Sequence, residues 1–122
     1  MGSSRPLFWI GSSLNDLRAF PTVVREELGY ALYLAQMGRK HIRARPMKGY
    51  GGARVLEAVS DHRGDTFRAI YTVRFREAVY VLHAFQKKSK KSISTPRQDL
   101  ELINHRLKIA EKHYLTWRSS NV

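Results

Sequence analysis

The sequence contains no cysteine and no long hydrophobic run, and these two absences exclude several classes of protein. Without cysteine there is no disulfide scaffold, no thiol chemistry and no cysteine-ligated zinc site, which fits a reducing compartment. No apolar run approaches the roughly 20 residues that a membrane-spanning helix requires. The apolar stretch near the N-terminus is too short for a secretory signal. We therefore expect a cytoplasmic protein with no membrane partner.

Acidic residues are also scarce, and the resulting charge indicates the kind of partner. The 122 residues include 10 Asp and Glu against 22 Lys and Arg, a net charge of +12. Such self-repulsion in a small domain is typical of proteins that bind a polyanion, with nucleic acid as the first candidate. Two basic stretches, residues 39–54 and 84–97, contain no acid. They favour a basic binding face, although a lysine-rich run can also be only a solvated loop.

The apolar pattern predicts one α+β domain in the order β-α-α-β-β-β-α. We expect a single domain over residues 1–122, with residues 1–6 and 118–122 flexible. The predicted elements are a strand at 7–10, a helix near 13–20, a helix at 21–38, an antiparallel meander at 54–60, 67–75 and 78–86, and a helix from Thr95 to about Trp117. Helical spacing of apolar residues supports the last two helices: Val24, Leu28, Ala31 and Ala35 in one, and Leu100, Ile103, Leu107, Ala110 and Tyr114 in the other.

Several segments, in order, carry a resemblance to a known family. They are LAQMG, MKGYGG, VLEAV, GDTFRAIYTVRF, AVYVLHAFQKKSKK and TPRQDLELINHRL. Together they resemble the RelE/HigB-like toxins of type II toxin–antitoxin systems, in particular the phage-derived Gp49-like branch. The resemblance spans Leu7 to Tyr114. It implies a single RelE-like toxin domain with a RelE/ParE-like fold, a small antiparallel sheet with two N-terminal helices and one C-terminal helix.

The resemblance also implies a function. Such a toxin is an mRNA interferase, an endoribonuclease that cleaves mRNA on the ribosome without metal or cofactor and inhibits translation. Its partner is a cognate helix-turn-helix antitoxin, with which it forms a hetero-oligomer. Two alternatives stay open: a non-enzymatic toxin of the same fold that acts on DNA gyrase, and a nucleic-acid-binding phage accessory protein.

Metal-free RNA cleavage needs positive charge on the phosphate, a base for the 2′-OH and an acid for the leaving 5′-oxygen. The candidate catalytic residues are Arg68, Lys87, Lys88, Glu57 and His83. Arg68 matches the family's strand arginine at the scissile phosphate, and Lys87 and Lys88 match the basic pair after the last strand. Glu57 departs from the best-studied members, which have basic residues on that strand. It is either a general base beside Arg68 or its ion-pair partner.

His83 has two interpretations as well. An imidazole can act as acid or base at neutral pH, but the alternation of His83 with Val79, Val81 and Phe85 favours a hydrogen-bonded core histidine. No histidines fall at a metal-ligand spacing, so we expect no metal site. The candidate RNA-binding residues are Lys48, Tyr50, Arg54, Arg74, Lys90 and Lys91. Arg74 lies about 20 Å from Arg68 along an extended strand, too far to touch the same phosphate.

Overall fold

The computed structural model describes residues 4–87 and 95–121, and within these ranges it contains five strands and three α-helices. The elements are β1 Leu7–Trp9, α1 Ser13–Arg18, α2 Thr22–Gln36, β2 Ala44–Pro46, β3 Val55–His62, β4 Asp65–Thr72, β5 Val79–Lys87 and α3 Arg97–Ser120. A short 3-10 helix, Gly51–Ala53, precedes β3. The candidate residues Lys88, Lys90 and Lys91 lie outside the described residues.

The strands form one sheet in the order β1-β5-β4-β3-β2, which confirms the predicted RelE-like α+β class. The sheet is mixed rather than wholly antiparallel, because β1 pairs with β5 in parallel. It also has a strand that the sequence pattern did not predict. This is β2, three residues at the sheet edge that lie opposite Leu56–Ala58 of β3. Two of its residues are exposed and one is Pro46, so only the pairing with β3 marks it as a strand.

A tight hairpin turn sets the register between β3 and β4. Arg63 and Gly64 both have positive φ, 51° and 84°. Two consecutive left-handed residues are the mark of a type I′ turn, whose twist matches that of the strands it joins. The resulting register places Arg68 opposite Val59 and Ile70 opposite Glu57.

Helices cover both faces of the sheet. The predicted stripe of α2, Val24, Leu28, Ala31 and Ala35, is buried with Ala69 and Tyr71 of β4 in one cluster. On the other face, Ile103, Leu107, Ala110 and Tyr114 of α3 pack with Ile70 and Leu82. Burial on both faces explains why both alternating sets of β4 contain apolar residues, since a central strand covered on two sides need not alternate with polar residues.

The direction of α3 determines which part of the sheet lies beyond the N-terminal end of this helix. Asp99 near its start contacts His83, Arg106 in its middle contacts the Leu82 carbonyl, and His113 near its end contacts Tyr80. The helix therefore runs back along β5 toward the start of that strand. The last residues of β5 lie past the N-terminal end of the helix.

Candidate functional site

Four of the predicted catalytic residues project from the sheet face on which α3 packs. Residues directly opposite one another in paired strands point to the same side, and so do residues two positions apart on one strand. Three consecutive rows on this face are Glu57–Ile70–His83, Val59–Arg68–Phe85 and Asp61–Thr66–Lys87. The structure thus brings Arg68, Lys87, Glu57 and His83 together near the N-terminal end of α3.

Arg68 and Glu57 form a buried ion pair. Each residue is only 5% exposed, and Arg68 Nη1 donates to Glu57 Oε2. The other carboxylate oxygen, Oε1, accepts a hydrogen bond of 3.2 Å from Arg45 Nε. Arg45 lies in β2 directly opposite Glu57, and its side chain is largely exposed. Of the two interpretations that the sequence left for Glu57, the ion-pair partner is the one observed.

Lys87 lies beside this pair on the same face of the sheet. It is 8% exposed, and among the described residues neither its Nζ nor the Nε of Arg68 has a hydrogen-bond partner. Burial lowers the pKa of Lys87 below its ordinary value of 10.5, and the charge of Arg68 lowers that pKa further, against the opposing effect of Glu57. Burying an ammonium group without a hydrogen-bond acceptor costs free energy, so binding of an anion beside Lys87 is favourable.

The balance of charge points the same way. We use the name cationic cluster for Arg45, Glu57, Arg68 and Lys87, in which three cations share one carboxylate. Asp61, the acid in the same row as Lys87, is already bound by Arg43 at 2.8 Å and by the Thr66 hydroxyl at 2.9 Å. The Arg43 hydrogen bond is the main reason that the pKa of Asp61 is lowered. The cluster therefore keeps an excess of positive charge that an oxyanion can neutralise.

His83 is held in a defined orientation next to the cluster. Its Nε2 lies 2.7 Å from Oδ1 of Asp99, and its ring stacks on Phe85 with centroids 4.8 Å apart. Its Nδ1 is buried and has no hydrogen-bond partner among the residues that the structure describes. In this arrangement the Asp99 carboxylate fixes the orientation of the imidazole, and Nδ1 is the ring nitrogen that can accept a proton.

His83 is buried and hydrogen-bonded, as its sequence pattern favoured, but its expected alternation with Val79 and Val81 is wrong because β5 contains a bulge. The register shifts from Ile70↔His83 to Tyr71↔Val81, so that Leu82 is an extra residue. Val79 and Val81 consequently point to the α2 side, whereas His83 points to the α3 side. The displaced Leu82 carbonyl accepts a hydrogen bond of 3.0 Å from Arg106.

Asp99 was missed by the sequence reasoning. The helix dipole alone is enough to explain an acid in the first turn of α3. The contact of Asp99 with His83, 16 positions earlier, therefore has no signature in the local sequence. Only the packing of α3 on β5 reveals it.

The four predicted RNA-binding residues that the structure describes do not join the cationic cluster. Tyr50 is half-buried against the α3-side core, and burial raises the pKa of its hydroxyl. Lys48 is exposed in the loop before it. Arg54 and Arg74 lie at the opposite end of β3 and β4, where Arg74 pairs with Glu111 at 3.0 Å and lies over the ring of Phe75.

Among the described residues, no group of three or more His, Cys, Asp or Glu side chains is arranged to hold a metal ion. In the same part of the chain, no helix has the length and apolar character needed to cross a membrane.

Comparison with known proteins supplies one match. The family model described as "Phage derived protein Gp49-like (DUF891)" matches residues 15–108, which include α2, the strands β2 to β5 and half of α3. No curated protein and no solved structure matches the chain.

Proposed function

Because the chain belongs to the Gp49-like family of phage-derived proteins, we propose that it is the toxin of a toxin–antitoxin system and that it cleaves mRNA on the ribosome. The family suggests a relation to toxin–antitoxin systems. The observation that carries the enzymatic part is the buried Lys87 Nζ, which lies next to Arg68 and has no hydrogen-bond partner among the described residues. A phosphodiester is the anion in RNA that would fit there.

In this proposal the scissile phosphate binds at the cationic cluster. Lys87 Nζ and Arg68 Nε donate to its non-bridging oxygens, since both are buried donors that lack a protein acceptor among the described residues. Glu57 holds Arg68 in place, and both of its carboxylate oxygens accept hydrogen bonds from guanidinium groups. It is therefore a positioning residue rather than the base. Fixed donors of this kind stabilise the additional charge that develops on phosphorus in the transition state.

The two proton transfers fall to the remaining groups. His83, with its Nε2 proton donated to Asp99, takes the 2′-OH proton on Nδ1 while the 2′-oxygen bonds to phosphorus. Lys87, whose pKa is lowered, gives a proton to the 5′-oxygen as the P–O5′ bond breaks. The products are a 2′,3′-cyclic phosphate and a 5′-hydroxyl end. These bond changes and proton transfers balance without a metal or a cofactor.

The partner in this proposal is a cognate helix-turn-helix antitoxin that covers the basic face and forms a hetero-oligomer with the toxin. The net charge of +12 supports an antitoxin whose contact surface is acidic. Co-expression of the neighbouring reading frame tests this: a stable complex that cannot cleave mRNA is expected.

The central test uses the substitution Lys87→Met, which removes the ammonium and keeps an unbranched apolar side chain. We expect loss of mRNA cleavage in a purified translation reaction and an unchanged fold by circular dichroism. Lys112→Met, an exposed lysine of α3, is the matched control and should cleave like the natural protein. Full cleavage by folded Lys87→Met, or inhibition of DNA supercoiling with mRNA left intact, would contradict the nuclease.

A further inference from the structure

A second basic site lies at the other end of the sheet. A cavity of about 620 Å³ opens between the residues after α2, the 3-10 helix before β3 and the end of β4. Six cationic residues line it: Arg5, Arg39, Lys40, Arg54, Arg74 and Arg76. None of the described residues that line it is acidic.

Within the part of the chain that the structure describes, most of these cations lack a compensating negative charge. Among the described residues, only Arg74 of the six forms an ion pair, with Glu111. Arg39, Lys40 and Arg54 are exposed at the rim and can approach a ligand. Like charges gathered around one cavity repel each other, so binding of a polyanion relieves the repulsion.

The floor of the cavity adds an independent observation. Tyr71 lines it and is fully buried, yet its hydroxyl has no hydrogen-bond partner among the residues described. Burial raises the pKa of Tyr71 to about 12, so the hydroxyl stays protonated and able to donate at neutral pH. Apolar neighbours, Pro46, Val55 and Leu56, complete the floor.

We propose that this cavity is a separate binding site for a ligand with clustered phosphates, such as a nucleoside triphosphate or a stretch of RNA backbone. Its volume is in the ordinary range for small-molecule sites. Guanidinium groups match phosphate oxygens in paired hydrogen bonds, and five arginines and a lysine line this cavity together with its apolar residues. Tyr71 donates to the innermost phosphate oxygen or to a ligand carbonyl.

This site is distinct from the cationic cluster. Arg68 points to the α3 side of β4, whereas Tyr71 points to the α2 side three residues further along. The proposal does not depend on RNA cleavage, and it can hold even if the nuclease does not.

The experiment measures binding by calorimetry with four probes: ATP, inorganic tripolyphosphate, adenosine and a ten-nucleotide single-stranded RNA. The proteins are the natural chain, the double variant Arg39→Gln/Arg54→Asn, Tyr71→Phe, Lys87→Met and the control Arg18→Gln. Asn suits position 54 because Arg54 has φ 48°, and Asn tolerates the left-handed region. Arg18 is exposed on α1 and does not line the cavity.

We expect phosphate-bearing probes to bind and adenosine to bind far more weakly. The double variant should lose roughly tenfold in affinity, because each charged hydrogen bond contributes substantially, while Arg18→Gln should not. In Lys87→Met, which removes the contribution of the cationic cluster, binding should be weakened but retained. Tyr71→Phe should weaken binding several-fold without lowering the melting temperature of the free protein, since its hydroxyl has no acceptor to lose among the described residues. If Tyr71 had only a structural role, the substitution would lower the melting temperature and leave the affinity for the ligand unchanged.

The probes also identify the source of the phosphates. Binding of ATP and tripolyphosphate with this variant pattern assigns a free nucleotide, and the same pattern with RNA alone assigns the nucleic-acid backbone. The proposal is overturned if the double variant binds like Arg18→Gln, or if Lys87→Met abolishes the binding instead.

Discussion

Glu57 and Arg68 are ion-paired across neighbouring strands, and both are almost completely buried. Burying a charge pair costs desolvation energy, so such a pair fixes positions more than it adds stability. Here it holds a guanidinium next to Lys87, with Nε of Arg68 left for another acceptor. The pair is thus the structural basis on which a phosphate site can be built.

The first prediction concerns the coupling within this pair. In a double-mutant cycle with Glu57→Gln and Arg68→Met, each single variant leaves an uncompensated buried group, whereas the double variant removes both. We expect Glu57→Gln to lower the free energy of unfolding by about 3 kcal/mol and the coupling to be about 1–3 kcal/mol, measured by urea denaturation.

The exposed pair Arg97–Glu101 on α3 is the matched control for this cycle, with side chains 92% and 68% exposed. Its coupling should be below about 0.5 kcal/mol. Equal coupling in the two cycles would show that the Glu57–Arg68 pair is not protected from solvent.

The second prediction concerns pH. The pKa of Lys87 is lowered in the folded protein, so between that pKa and the ordinary 10.5 the unfolded chain binds more protons. Stability therefore rises with pH across this window as the buried ammonium loses its charge, and Lys87 is destabilising below the window. Lys87→Met should unfold at higher urea concentration than the natural protein at pH 7.

The advantage of Lys87→Met should shrink as pH approaches 10.5, and added phosphate should narrow it at pH 7 by binding at the cationic cluster, which only the natural protein has intact. Lys112→Met serves as the reference for removing an exposed lysine. An advantage that stays constant with pH would mean that Lys87 titrates as an ordinary surface lysine.

Local pattern was enough to predict most of the fold. The stripe through Ile103, Leu107 and Ala110 predicts α3 because a helix that buries one face needs apolar residues at that spacing. The strand β2 has no such signal, since its three residues are held only by their pairing with β3. The parallel pairing of β1 with β5 likewise depends on residues more than 70 positions apart.

The candidate site was predictable in part for the same reason. Strand positions place Glu57 and Arg68 on one face by simple alternation, and a register that pairs β3 with β4 brings them into contact. For His83 the alternation fails, because the bulge at Leu82 reverses the face of every later residue of β5. Asp99 depends on how a distant helix packs, which no local pattern encodes.

The third prediction separates proton transfer from binding. His83→Gln should lower the single-turnover cleavage rate at least about 100-fold, the usual contribution of a general base. Asp99→Asn should lower it less, because it removes only the group that orients His83. Asp65→Asn, an exposed acid at the start of β4, is the control and should leave the rate unchanged.

Affinity for the ribosome–mRNA complex should be the same in all three variants, since neither His83 nor Asp99 supplies positive charge to the phosphate in the proposed mechanism. A loss confined to affinity, with a normal rate at saturation, would instead make His83 a binding residue.

The fourth prediction tests direct contact between Lys87 and a phosphate. A cation that neutralises a phosphate releases a counterion, so it adds about 0.7 to the magnitude of the slope of log affinity against log salt concentration for single-stranded RNA. Lys87→Met should reduce the slope by about that amount, measured by fluorescence anisotropy with a labelled RNA that cannot be cleaved because its 2′-hydroxyls are methylated. Lys112→Met carries the same change in net charge on an exposed part of α3 and should leave the slope unchanged. Equal reductions in both variants would attribute the effect to the overall field of the protein, and the phosphate would then have to lie elsewhere than beside Arg68.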